Sequence, residues 1–141
     1  CGFGEAEELI KEKQKTESRI VFCGRVDRAE VLALQRKATV LVNPRQNNEE
    51  FTQYSFPSKN LEYLSSGVPL VAYKLDGIPD EYDEFIAYPE SDSPEALAHE
   101  INEICNLSDE DRIARGKKAK DFVFKYKNKV AQAQRIIEFI K

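Results

Sequence analysis

With 141 residues, 41% hydrophobic and 33% charged, the chain has enough apolar side chains for one core and little room for two. Its formal net charge of -4 argues against a dedicated nucleic-acid binder, because surfaces that track phosphate backbones are basic. No apolar run approaches the roughly 18 residues that a membrane-spanning helix requires.

Residues 5–15 are polar and helix-favouring, with Ala6, Leu9 and Ile10 as a narrow apolar side. Residues 19–23 form a short apolar run that ends at Gly24 and predicts a buried strand. Asp27 is placed to cap a helix carrying Val31, Leu32, Leu34 and Ala38. Residues 39–42 predict a second strand, stopped by Asn43-Pro44 and followed by a polar loop over 45–54. Pro57-Ser58 opens a helix that reaches Ser66 and ends at Gly67. Residues 69–73 predict a third strand, Asp76-Gly77-Ile78-Pro79 a turn into a short helical turn, and residues 85–88 a fourth strand. Beyond Ser93 the pattern is helical only. Pro94 sits at a helix start whose core stripe is Leu97, Ile101 and Ile104, and Ser108 and Asp111 have capping-box spacing. Val130, Ile136, Ile137, Phe139 and Ile140 predict a closing helix docked on the body.

Strands too apolar to face water, alternating with helices, imply an α/β fold: a Rossmann-like open parallel sheet of about four strands, helices on both faces and a helical tail. Ligands of such sheets sit beyond the carboxyl ends of the strands. The loops to watch are therefore 24–26, 43–57 and 73–79.

The second of these leads into the most informative segment. A helix starting at Ser58 turns its free first-turn N–H groups and its positive dipole end toward that edge, which makes an anion site. Lys59 adds a mobile cation suited to phosphate. Glu62 follows Ser58 by four residues, on the same helix face, and one turn rises about 5 Å, comparable to the span from a nucleotide's phosphates to its ribose hydroxyls. An ordinary capped helix with a solvated first turn would explain the same three residues. Cys1, Cys23 and Cys105 have no CxxC spacing and only His99 to join them, so no zinc site is expected, and buried reduced thiols are. His99 reads as a surface residue. Lys117, Lys118, Lys120, Lys125, Lys127 and Lys129 read as a solvated helix face, with contact to an anionic membrane surface as the alternative.

Phe56-Pro57-Ser58-Lys59, then Glu62-Tyr63-Leu64, then Gly67-Val68-Pro69-Leu70-Val71, resembles the donor-site helix and following strand of the group 1, retaining, GT-B-fold glycosyltransferases. Residues 20–26 look like that family's strand ending in Gly, residues 39–45 like its next strand with a Pro-containing loop, and Asp76-Gly77-Ile78-Pro79-Asp80 like its Gly-Ile-Pro-Glu turn. Cys1-Gly2-Phe3-Gly4-Glu5 is similar to the stretch closing the strand before, so the pieces run in consistent order over residues 1–106.

The resemblance implies the C-terminal, donor-binding domain of a transferase that moves a hexose from a nucleoside-diphosphate sugar to an acceptor hydroxyl in polysaccharide or glycolipid synthesis. It places Glu62 on the donor ribose, Ser58 and Lys59 on the diphosphate, Gly24, Arg25 and Val26 at the base, and Asn43, Arg45 and Tyr54 in the donor loops. The family pairs its ribose-binding Glu with a second Glu eight residues earlier, and Tyr54 stands there, with Glu49 and Glu50 near but out of register. No metal and no cofactor beyond the sugar nucleotide is expected. The resemblance further implies that residues 1–141 are one N-terminally truncated domain. Its acceptor-binding half and an Arg and Lys for the leaving diphosphate would precede Cys1, and the piece alone would be inactive. The setting it implies is cytoplasmic, with peripheral contact at the inner face of the membrane. Two rivals remain: a nucleotide-sugar epimerase of the same architecture, using Glu49 and Glu50, and a non-catalytic α/β binding module in which Ser58, Lys59 and Glu62 are structural.

Overall fold

In the computed structural model, which describes residues 1–47 and 50–140, the chain divides into two units, residues 1–34 and 35–141. The first holds helix α1 (Glu7–Thr16) and the start of α2 (Arg28–Lys37). Helix α1 buries none of its residues and is held by charge order: Glu7 and Glu8 open it, Lys13 and Lys15 close it, and Lys11 pairs with Glu7 and Glu8 at 2.9 Å each. Asp27 caps α2 as its position predicts, its carboxylate accepting from the Glu30 N–H at 2.8 Å.

The strand expected over residues 19–23 is not formed. A buried strand needs a neighbour for its alternate N–H and C=O groups, and the regular elements of residues 1–34 are helices. The Phe22 N–H donates instead to Gln14 Oε1 at 2.7 Å, the Gly24 carbonyl accepts from the Gly2 N–H at 2.8 Å, and Val21 is 74% exposed.

The second unit is built on three of the four expected strands: β1 (Leu41–Asn43), β2 (Leu70–Ala72) and β3 (Ile86–Ala87), all parallel in the order β1-β2-β3. Leu41 pairs with Leu70 and Leu70 with Ile86. The two-residue side-chain period then divides the core. Leu70, Ala72 and Ile86 pack on one face with Leu64 of α3 (Ser58–Ser66) and with Ala119 and Val123 of α5 (Asp109–Tyr126). Val71 and Ala87 pack on the other with Ile104, Leu97 and Ile101 of α4 (Pro94–Asn106), the stripe read from the sequence. The architecture is thus the α/β, Rossmann-like open parallel sheet covered on both faces.

Helix ends follow their residues. Ser93 Oγ accepts from the Ala96 N–H and Ser108 Oγ from the Asp111 N–H, each at 3.1 Å. Gly67 ends α3 at φ +83°, the left-handed cap that glycine adopts without strain. Helix α5 then crosses that cap with Gly116 in contact: a Cβ built there would lie 2.0 Å from the Gly67 carbonyl oxygen.

Two expectations about the tail fail. The last helix, α6 (Lys129–Ile140), does not dock its apolar residues. It turns Ala131, Gln134, Arg135 and Glu138 toward Phe122 and Tyr126 of α5, and leaves Val130, Ile136, Ile137, Phe139 and Ile140 exposed. The two sets occupy opposite sides of one helical wheel, so only one of them can face α5. The lysines, in turn, are not all solvated: the Lys127 side chain is 7% exposed, with its ammonium 5.0 Å from the Tyr82 ring, 5.3 Å from the Phe122 ring and paired with Glu81. Burial, then the Glu81 charge, pushes the Tyr82 phenol up to about 12. A desolvated cation over two rings is worth about 2 kcal/mol, so Lys127→Met is expected to lower the unfolding free energy by that order, read as a lower urea midpoint at unchanged slope.

The cysteines also differ from expectation, since Cys1, Cys23 and Cys105 are all exposed. Among the described residues no helix is long and apolar enough to cross a membrane.

Candidate functional site

The carboxyl end of β1 and the opening of α3 meet in an open cleft of about 430 Å³, lined by Asn43, Pro44, Arg45, Pro57, Ser58 and Lys59. Local sequence explains both walls. Asn43 ends β1, and Pro44, which lacks an N–H, cannot extend the ladder. Pro57 occupies the N-cap position of α3 with extended backbone and supplies no capping side chain; its carbonyl takes the Asn60 N–H at 2.8 Å, which leaves the N–H groups of Ser58 and Lys59 to whatever enters the cleft. Ser58 and Lys59 are exposed at this opening. Arg45 stands in the opposite wall, its guanidinium 4.6 Å from the Phe51 ring centroid. Two cations and a helix N-terminus therefore share one concavity, a setting that favours an anion.

The loop between the walls is held from beneath. Thr52, 1% exposed, donates from Oγ1 to Asn47 at 2.7 Å, and its carbonyl accepts from the Gly77 N–H at 3.3 Å. Gly77 is pressed against the same loop, since a Cβ there would lie 2.7 Å from the Ser55 carbonyl oxygen. Gln46 Nε2 donates to the Asp92 carbonyl at 2.6 Å, tying the loop to the segment after β3. In the third loop, Lys74 is occupied by an ion pair with Asp83 and a 3.4 Å contact to Asp80.

Of the residues singled out from sequence, the structure brings Asn43, Arg45, Ser58 and Lys59 together. Glu62 is not in the cleft lining: half-buried one turn further along α3, it accepts from Gln35 Nε2 at 2.6 Å. Tyr54 is 81% exposed and lines nothing here. Gly24, Arg25 and Val26 belong to the first unit, where Gly24 has φ +63° and the Arg25 guanidinium lies 5.1 Å from the Phe3 ring centroid. Glu49 lies outside the described residues, and Glu50 is exposed at the start of a short 3-10 helix, Glu50–Gln53. A larger concavity of about 520 Å³ lies between α5 and α6 and contains none of the predicted residues.

Two residues that sequence reasoning passed over matter to the site. Asn60 is 0% exposed, and its Oδ1 accepts from Asn43 Nδ2 at 2.6 Å, which joins the two walls. Gln35, 6% exposed, is a hydrogen-bond donor to Glu62. Both carried a readable signal: each is a polar residue on an apolar helical stripe, Asn60 four before Leu64 and Gln35 four after Val31. Among the described residues no three His, Cys, Asp or Glu side chains are grouped to hold a metal ion.

No curated protein matches the chain. The family described as glycosyl transferases group 1 does match, over residues 1–106, a span that includes both walls of the cleft and stops at the end of α4. With three-quarters of its length accounted for in this way, the chain belongs to the group 1 glycosyltransferases.

Proposed function

We propose that the chain is the donor-binding domain of a retaining GT-B hexosyltransferase, and that its cleft takes the diphosphate of a nucleoside-diphosphate sugar. The observation that carries this reading is the uncapped opening of α3, with Lys59 in its first turn, sharing a single cleft with Arg45. In transfer, the bond from the anomeric carbon to the diphosphate breaks and its electrons leave with the phosphate oxygen. An acceptor hydroxyl forms the new glycosidic bond and gives its proton to the departing diphosphate oxygen. Preorganised positive charge at the departing diphosphate stabilises that step, and Arg45, Lys59 and the N–H groups at Ser58 and Lys59 would supply it. Glu62, one turn deeper and oriented by Gln35, is the ribose acceptor in this reading. The family resemblance assigns Gly24, Arg25 and Val26 to the base and Tyr54 to the sugar. The acceptor-binding half, the acceptor's place in polysaccharide or glycolipid synthesis, and peripheral contact with the membrane are parts of the same proposal.

Calorimetric titration of the chain with UDP, GDP and ADP tests it. One of the three is expected to bind, and Lys59→Ala is expected to weaken it by roughly tenfold, the worth of one charge-assisted hydrogen bond. The affinity should also fall steeply with added salt. No binding at millimolar nucleotide, or an affinity that ignores both Lys59→Ala and Arg45→Ala, would overturn the reading.

A further inference from the structure

The cleft carries one cation on each wall, and between them a neutral amide whose orientation is built in. Asn43 ends β1 in the cleft lining and commits its Nδ2 to Asn60 Oδ1 at 2.6 Å. Asn60 is fully buried in the first turn of α3, and its own Nδ2 is enclosed with no partner. An enclosed, unpaired amide donor costs stability, and an apolar residue on this stripe would avoid that cost. What the asparagine provides is orientation. With its Nδ2 held inward, the Asn43 amide has its Oδ1 as the end left for the cleft; that oxygen accepts from no protein donor among the described residues and, unlike Asn60 Nδ2, is not enclosed.

We infer that Asn60 is a positioning residue that locks the Asn43 amide with its oxygen toward the ligand, making Asn43 the group that reads a sugar hydroxyl rather than a phosphate. The chemistry follows from charge. A neutral acceptor beside Arg45 and Lys59 gives nothing to a diphosphate oxygen, which is itself an acceptor, but pairs with a hydroxyl of the hexose attached to it. Were the amide free to rotate, it could turn its NH₂ toward the diphosphate and discriminate nothing. The inference rests on the proposed donor site and adds to it a separate quantity: the gain in affinity from having the sugar on the nucleotide.

The test measures that gain. The chain is titrated with UDP and UDP-glucose, GDP and GDP-mannose, and ADP and ADP-glucose, and the pair with measurable binding is carried to the variants. Asn60→Leu, which keeps the branching and heavy-atom count but is the bulkier side chain, is expected to reduce the sugar nucleotide's affinity roughly fivefold, the scale of one hydrogen bond, while the plain diphosphate stays within about twofold. Asn60→Asp keeps an acceptor for Asn43 Nδ2 and is expected to recover most of the loss. Asn43→Leu should reproduce the loss without touching the buried position, which serves if Asn60→Leu does not fold by circular dichroism. Equal weakening of both ligands in Asn60→Leu and Asn43→Leu would assign the pair a structural role only. An unchanged sugar gain in Asn43→Leu would remove it from recognition altogether. Either result, with the native chain binding the diphosphate, overturns this inference and leaves the donor site standing; absence of all nucleotide binding by the native chain overturns both.

Discussion

Gly116→Ala is expected to lower the unfolding free energy by about 3 kcal/mol, the upper range for an extra methyl forced into a packed contact. The sign is the informative part. In a solvated helix interior, alanine is better than glycine by about 1 kcal/mol, so an unconstrained Gly116 would make the substitution stabilising. Here the new Cβ would lie 2.0 Å from the Gly67 carbonyl oxygen and 2.6 Å from its carbon. Neither can yield easily, because Gly67 is the left-handed cap on which α3 ends and β2 begins three residues later. Separating α5 from that cap also loosens Leu64, Ala119 and Val123, which share one core cluster. For a domain of this size the loss corresponds to a fall in Tm of about 10 °C. A melting temperature equal to or above that of the native chain would show that α5 does not cross α3 at this distance.

The second large effect is expected at Gly77, where stability and binding should fall together. Its φ lies outside the left-handed region, so alanine meets no backbone strain there and the cost is contact alone. A Cβ would lie 2.7 Å from the Ser55 carbonyl oxygen and 3.0 Å from the Thr52 carbonyl oxygen, while the Gly77 N–H donates to that Thr52 oxygen at 3.3 Å. The loop over 52–55 must move outward, and Pro57, Ser58 and Lys59 follow it directly in the chain. Gly77→Ala is therefore expected to cost about 2 kcal/mol and to weaken nucleoside diphosphate several-fold at temperatures where the chain is folded. Gly116→Ala, acting at the far end of α3, should leave that affinity unchanged. Paired melting and titration curves for the two variants check the contrast. If both variants keep native affinity, Gly77 is not supporting the cleft.

Much of this was legible in the chain, for identifiable reasons. Elements bounded by chemistry were placed within a residue or two: Pro57 and Gly67 delimit α3, Ser93-Pro94 and Ser108 open α4 and α5, and Asp27 caps α2. The stripe Leu97, Ile101 and Ile104 packs as its spacing implies. What failed depended on partners. Residues 19–23 have the composition of a strand, but pairing is a property of two segments, and composition reports on one. The apolar side of α6 marks an amphipathic helix without saying which side its own domain receives. Charge alone sets Lys127 with its lysine neighbours and does not reveal that Tyr82, distant in sequence, joins Phe122 beside the side chain. In the cleft, residue type pointed to Ser58, Lys59, Asn43 and Arg45. The roles of Asn60 and Gln35 emerge only where buried amides find particular partners.

The cleft's walls come from residues 43–59, a stretch that contributes β1's end, the loop and the first residues of α3. The buried residues of the main core cluster lie further on, from Leu64 to Val123, with Leu41, Phe56 and Leu61 packed against them. Specificity and scaffold are thus written in largely separate parts of the chain. Exchanging the short stretch for that of another member of the family, with Phe56 kept, is expected to alter the contacts made at the cleft while the buried core stayed as it is, so relatives can diverge in chemistry by local edits without refounding the domain.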